Sequence, residues 1–333
     1  MLEVRNLVKK YGDKTALNGV DFHIRSGEVV GLLGLNGAGK STTMNCITGY
    51  IAPTSGTILV GGHDIQKEPD EARSMIGYLP EVFAFYPDMK VREYLDFVCD
   101  LKKFSKNRQV RKDHIDKICR KVGIGDLTGR MIRNLSKGYK QRVGFAQALI
   151  GDPKVLILDE PTVGLDPSQI IEIRRLIRDS GKESTVIVSS HILSEIQEVC
   201  SRILVIHDGH IAADGTPSML MENAGGQELR ICVKDEAQAV KVLQKLSCLE
   251  QYDSIPASEP GTFRYRLQGN GKGDLREEVF RAFAGSGISL LELSMPEASL
   301  EHIFLRLTGQ EAVPAYAAPD DADGADGGKG EPG

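Results

Sequence analysis

The residues Gly34-Leu35-Asn36-Gly37-Ala38-Gly39-Lys40-Ser41 have the spacing of a phosphate-binding loop. Glycines let successive backbone N–H groups turn inward, which makes an anion-binding nest at the start of a helix. There Lys40 reaches the β- and γ-phosphates of a nucleotide, and Ser41 supplies an oxygen to Mg²⁺. The apolar run Glu28–Leu33 reads as a strand entering the loop, and a helix pattern begins at its end, through Thr42. That context separates a nucleotide site from a chance glycine-rich turn.

A second group of reactive side chains closes the run Val155-Leu156-Ile157-Leu158, which ends at Asp159-Glu160. Two adjacent acids at the end of a buried strand are costly unless they have work to do. Neighbouring strand residues point to opposite sides, so the two acids take different roles. Asp159 is expected to orient Mg²⁺ and Glu160 to act as general base on the attacking water. A solvated Asp-Glu-Pro turn is the plain alternative, and the phosphate loop tips the balance against it.

Between these motifs stands Leu135-Ser136-Lys137-Gly138-Tyr139-Lys140-Gln141-Arg142. With it, residues 1 to about 217 resemble the ATP-binding cassette family, the motor subunits of ABC transporters. The resemblance implies a P-loop NTPase core of RecA-like α/β type with a helical subdomain, and it implies ATP hydrolysis. Of the family's Leu-Ser-Gly-Gly-Gln signature, Ser136 and Gly138 match the Ser and the second Gly, which bind the γ-phosphate held by a second cassette. Lys137 and Tyr139 depart from the commonest version. The resemblance also implies that Tyr11 stacks on adenine, although a lone Tyr there also suits core packing. The nucleotide-binding set is then Tyr11, Gly34, Leu35, Asn36, Gly37, Ala38, Gly39, Lys40, Ser41, Thr42, Ser136, Gly138 and Asp166. In that set Asp166 belongs to Gly164-Leu165-Asp166, which matches the loop crossing the dimer interface. His191 matches the histidine that contacts γ-phosphate, giving Lys40, Glu160 and His191 as the catalytic group. Glu81 stands where the family usually has Gln, so Ser41, Glu81 and Asp159 form the implied Mg²⁺ set. Val82-Phe83-Ala84-Phe85-Tyr86-Pro87 matches part of a groove that receives a helix of a multi-span membrane permease.

These variants, with Pro296-Glu297-Ala298-Ser299-Leu300-Glu301-His302-Ile303-Phe304, are similar to bacterial cassettes serving multidrug, antibiotic and gliding-type exporters. The implied partners are a second cassette, as a homodimer, and the permease, which would hold the chain on the cytoplasmic face of the membrane. A soluble cassette acting on ribosomes or DNA usually has two cassettes or a long insert, and neither is visible. A nucleotide switch without turnover conflicts with intact Lys40, Glu160 and His191.

The elements that must position these residues alternate strand and helix, the pattern of an α/β domain. Strands are expected at Glu28–Leu33, Val155–Leu158, Thr185–Ser189 and Arg202–His207. Residues from about 82 to 150 turn helical, with helices at Val91–Leu101 and Arg108–Val122. A linker over 218–228 leads to a second unit over 229–309. Its order of strand, helix, two strands, helix and strand suggests a small ferredoxin-like α+β sandwich, followed by a last helix at Leu300–Leu307. The segment 310–333 reads as a disordered acidic tail. From Pro314 onward Asp320, Asp321, Asp323, Asp326 and Glu331 face Lys329 alone, so the tail holds most of the net charge of −5. The rest is near neutral, without the basic footprint of a nucleic-acid binder. No run approaches the roughly 20 apolar residues of a membrane span, and the first ten residues do not read as a secretory signal. The six cysteines are scattered without a C-x-x-C pair, which predicts reduced, buried thiols in a cytoplasmic protein. Lys102, Lys103, Lys106, Arg108, Arg111 and Lys112 read as a solvated basic run.

Overall fold

The computed structural model describes residues 1–223, 228–257, 259–270 and 273–295. In chain order the elements of the first part are β1 (Leu2–Tyr11), β2 (Lys14–Ile24), β3 (Val29–Leu33), α1 (Lys40–Ile47), β4 (Ser55–Val60), β5 (His63–Asp64), α2 (Pro69–Ser74) and β6 (Ile76–Leu79). Three helices follow, α3 (Val91–Leu101), α4 (Arg108–Lys121) and α5 (Lys137–Leu149). The chain then alternates through β7 (Val155–Asp159), α6 (Pro167–Gly181), β8 (Thr185–Ser190), α7 (Leu193–Val199), β9 (Arg202–His207), β10 (His210–Gly215) and α8 (Pro217–Asn223).

The central sheet runs β10-β9-β3-β8-β7-β6. Every pair in it is parallel except the edge pair β9–β10. All residues of β7 and β8 are buried, as expected for a parallel sheet covered on both faces. Alternate residues of β7 serve different cores. Val155 and Ile157 join the cluster under the N-terminal sheet, with Leu2, Leu17, Met44 and Val60. Leu156 and Leu158 face the other cluster, with Leu95, Ile118, Val143 and Ile177 from the helices.

The N-terminal antiparallel sheet, β2-β1-β4-β5, was not foreseen as a separate layer. The β1–β2 register shifts at three points, and such bulges break the period-two pattern by which a strand is read. The stretch expected to be a linker also begins as structure, because α8 occupies Pro217–Asn223 and packs Leu220 into the helical-side core.

The basic run is not uniformly solvated. Lys102 Nζ donates to Ile150 O at 2.8 Å and to Ala148 O at 3.3 Å, at the C-terminal end of α5. Burial lowers its pKa to about 8. Arg111 pairs with Asp96 and Asp100. The period-3.6 reading sees charge but not which charged stems turn inward.

The second unit contains β11 (Glu228–Val233), α9 (Glu236–Leu243), β12 (Leu249–Ile255), β13 (Phe263–Gly269), α10 (Leu275–Ser286) and β14 (Leu290–Ser294). Its sheet order is β12-β13-β11-β14 with antiparallel pairs throughout, the arrangement of a ferredoxin-like sandwich. Leu229, Ile231, Leu267, Val279 and Phe283 form its own core. The helix expected at Leu300–Leu307 and the acidic tail lie outside the described residues. All six cysteines are buried free thiols.

Candidate functional site

Strands β3, β7 and β8 lie side by side and end at one edge of the sheet, with Leu33 opposite Ser190 and Asp159 opposite Ser189. Three sequence-distant motifs therefore open at the same place, where ligands bind in open α/β sheets.

The phosphate loop leaves β3 and turns into α1 at Gly39, whose φ of 114° is open only to glycine. Gly34 has a different constraint. A Cβ there would stand 2.6 Å from the Ile206 carbonyl oxygen of β9, so the loop is seated directly on a neighbouring backbone. Lys40 is 6% exposed, and its Nζ donates to Gly34 O at 2.8 Å and Leu35 O at 3.4 Å. The loop thus pre-positions its own ammonium group.

Asp159 is the last residue of β7 and is 3% exposed. Its Oδ1 accepts from Ser41 Oγ at 3.4 Å and from Ser189 Oγ at 2.5 Å. Glu160 follows with φ +47°, a left-handed conformation that costs a non-glycine residue about 1 kcal/mol or more and concentrates at functional sites. That turn separates the acids: Glu160 Oε1 lies 3.5 Å from Lys40 Nζ, and Oε2 lies 3.0 Å from His191 Nδ1. A cavity of about 380 Å³ is lined by Leu35, Asn36, Gly37, Gly39, Lys40, Ser41 and Thr42, with Glu81, Glu160, Val163 and His191. Lys40, Glu160 and His191 are brought together here as expected.

Ser189 was missed by sequence reasoning. Besides holding Asp159, its Oγ accepts the Glu160 N–H at 2.9 Å, so one hydroxyl fixes both acids. The available signal was a pair of serines closing the apolar strand Thr185-Val186-Ile187-Val188.

Six expected nucleotide-binding residues lie outside the cavity lining: Gly34 and Ala38 within the phosphate loop, and four beyond it. Tyr11 ends β1, half exposed, with Lys9 Nζ 5.0 Å from its ring centre. Ser136 caps α5, its Oγ accepting from Tyr139 N at 3.4 Å. Gly138 is buried against the amide of Gln169. Asp166 caps α6, where bonds from the Ser168 hydroxyl and the Gln169 N–H hold its carboxyl below the usual range. These last three cluster with one another, because the tip of Lys137 lies against Gly164 and Gln169 lies against Gly138.

A second concavity of about 530 Å³ adjoins the first, lined by Val82, Phe83, Phe85, Pro87, Arg133, Lys137 and Lys140 among others. Glu81, Glu160 and Val163 line both. Phe83 and Phe85 stack with centroids 4.9 Å apart, while Val82 and Tyr86 stand largely exposed.

Comparison with known proteins agrees with this geometry. Residues 17–163 match the family model described as ABC transporter. The chain is 33% identical to the bacitracin transport ATP-binding protein BcrA of Bacillus licheniformis, over 93% of this chain and 97% of that protein. It is 34% identical to the linearmycin resistance ATP-binding protein LnrL of Bacillus subtilis, over 93% of this chain and 99% of that protein. Among solved structures, a dimeric post-hydrolysis state of the cassette MJ0796 bound to ADP and Pi superposes with a TM-score of 0.59 at 25% identity. It covers 65% of this chain and 98% of that one. The chain belongs to the ABC transporter family, as an ATP-binding, ATP-hydrolysing cassette subunit.

Proposed function

We propose that two copies of this chain close head to tail around ATP and drive export of an antibiotic-like compound through a separate permease. The observation that carries this reading is the division of the site. Lys40, Glu160 and His191 share one cavity, whereas Ser136 and Gly138 sit apart on the first turn of α5. A γ-phosphate bound at Lys40 then gains its remaining donors from the Ser136 and Gly138 region of a second copy. Glu160 accepts a proton from the attacking water, and His191 orients Glu160 and meets the γ-phosphate.

The oxygen donors fit Mg²⁺, because a hydroxyl and a buried carboxylate lie 3.4 Å apart beside the phosphate loop. Ser41 and Asp159 would hold the ion, with Glu81 at the rim, and bound there it neutralises charge on the phosphate oxygens. Tyr11 stacks on the adenine, a contact worth about 1–3 kcal/mol by analogy with bases stacked on aromatic side chains.

The groove beginning at Val82 takes a helix of the permease, and Glu81 between groove and cavity reports nucleotide state to it. Among the described residues no helix is long and apolar enough to cross a membrane; the permease would hold the chain at the cytoplasmic face. The export reading rests on BcrA and LnrL, whose names are those of antibiotic transport and resistance proteins. The unit over 229–309 is an accessory domain beside the cassette of residues 1–217.

Replacing Glu160 by Gln tests the base and the dimer together. The variant keeps Lys40, Ser41 and Asp159 but cannot take the proton, so ATP persists and favours the closed state by mass action. Light scattering should find Glu160→Gln monomeric alone and dimeric with Mg-ATP, and adding Ser136→Arg should abolish the dimer. A Glu160→Gln protein that stays monomeric at saturating ATP, or turns it over normally, overturns the reading.

A further inference from the structure

A buried carboxylate that the reading above does not use lies behind the catalytic residues. Glu195, in the first turn of α7, is 8% exposed. Its Oε2 accepts from Thr162 Oγ1 at 2.5 Å and from Ser190 Oγ at 3.2 Å, and those hydroxyls belong to residues 6% and 1% exposed. Thr162 lies two residues after Glu160, and Ser190 immediately precedes His191. One oxygen thus joins the loop that carries the general base to the loop that carries the histidine. Ser190 Oγ in turn accepts the Ile192 N–H at 3.0 Å, so the backbone on both sides of His191 is tied to the same carboxylate.

The run continues in the other direction. Gln141, 7% exposed in the second turn of α5, donates from Nε2 to Pro161 O at 2.7 Å. Pro161 is the residue between Glu160 and Thr162. A hydrogen bond lost between groups buried in this way leaves a polar atom unsatisfied.

We infer that Glu195 is a positioning residue that sets His191 against Glu160, and that Gln141 links this pair to the helix bearing Ser136. The first two turns of α5 and the catalytic loop then move as one piece. This inference rests on the catalytic reading of Glu160 and His191. Failure of that reading would show as normal turnover in Glu160→Gln. Failure of this one would show in Glu195 and Thr162 variants while Glu160→Gln remains inactive.

The test uses the full chain and measures ATP affinity and turnover separately. Thr162→Val preserves shape and removes one donor, and Glu195→Leu removes the shared acceptor. Each should lower kcat on the order of tenfold while ATP affinity stays within about twofold, because a misplaced base slows chemistry more than binding. The double variant should be no slower than the slower single one, since both break the same link. Glu195→Gln retains an acceptor oxygen and should recover turnover to within about threefold of the parent. Unchanged kcat in folded Thr162→Val, multiplicative losses in the double variant, or equal losses of affinity and turnover would overturn the assignment.

Discussion

Lys40 Nζ and Glu160 Oε1 lie 3.5 Å apart, and both side chains are less than a tenth exposed. In the proposed mechanism the cation that would meet phosphate and the carboxylate that would meet water share one buried charge balance. A phosphate arriving at Lys40 would bring its own negative charge, draw the ammonium toward it and leave Glu160 to His191 and the nucleophile. Removing one partner of such a pair leaves the other charge buried and uncompensated.

Lys40→Ala should therefore lose turnover by about 10²–10³-fold, the scale for removing a transition-state donor. The loss should appear in steady-state phosphate release. Circular dichroism should still report a folded chain, because the strands that form the site do not depend on Lys40. Wild-type hydrolysis by a folded Lys40→Ala protein would remove the site assignment.

Glu81 lines both the phosphate cavity and the aromatic groove, so its variants should separate chemistry from coupling. Glu81→Gln restores the amide usual in the family and should keep ATPase activity within about tenfold, or roughly 1.4 kcal/mol. Glu81→Ala should lower transport per ATP more than it lowers hydrolysis, assayed with the permease in sealed vesicles. Equal transport per ATP in the Ala variant and the parent would deny Glu81 a relay role.

His114 supplies a pH dependence of stability. Its Nε2 accepts the Gly151 N–H at 3.1 Å, and Phe104 stacks on its ring at 4.3 Å. Burial is the main cause of a pKa below the ordinary 6.5. Asp152 opposes that shift, while Lys117 and Lys102 add to it. A histidine held neutral contributes stability that is present above its unfolded value and lost as pH falls through its folded one. Each unit of depression contributes about 1.4 kcal/mol. The melting temperature should fall as pH drops through and below about 6.5, and His114→Gln, which keeps an acceptor for Gly151, should flatten that fall. An identical pH profile in the variant would remove the role.

The place where these motifs meet was legible because each is contiguous and lies at a strand end. Val155–Asp159 and Thr185–Ser190 are apolar runs that stop at polar residues, so both strands and both sets of reactive side chains could be read together. Contacts that depend on three dimensions were not legible. Ser189 holds Asp159 from the neighbouring strand, a relation set by sheet register rather than by spacing in the chain. The β1–β2 sheet was hidden by its bulges, and the inward turn of Lys102 by its place in a charged run.

The separation of Ser136 from the Lys40 cavity has a genetic consequence. In the proposed dimer each composite site takes its phosphate loop from one copy and its signature serine from the other. A subunit with Lys40→Ala still lends an intact Ser136 to a normal partner, so a mixed dimer retains one complete site. A subunit with Ser136→Arg keeps its own phosphate loop but spoils its partner's site, and the mixed dimer again retains one. Complementary defects behave differently. Pairing a Lys40→Ala copy with a Ser136→Arg copy concentrates both lesions in one composite site and leaves the other wholly normal. Two null alleles expressed together should therefore restore hydrolysis that neither supports alone.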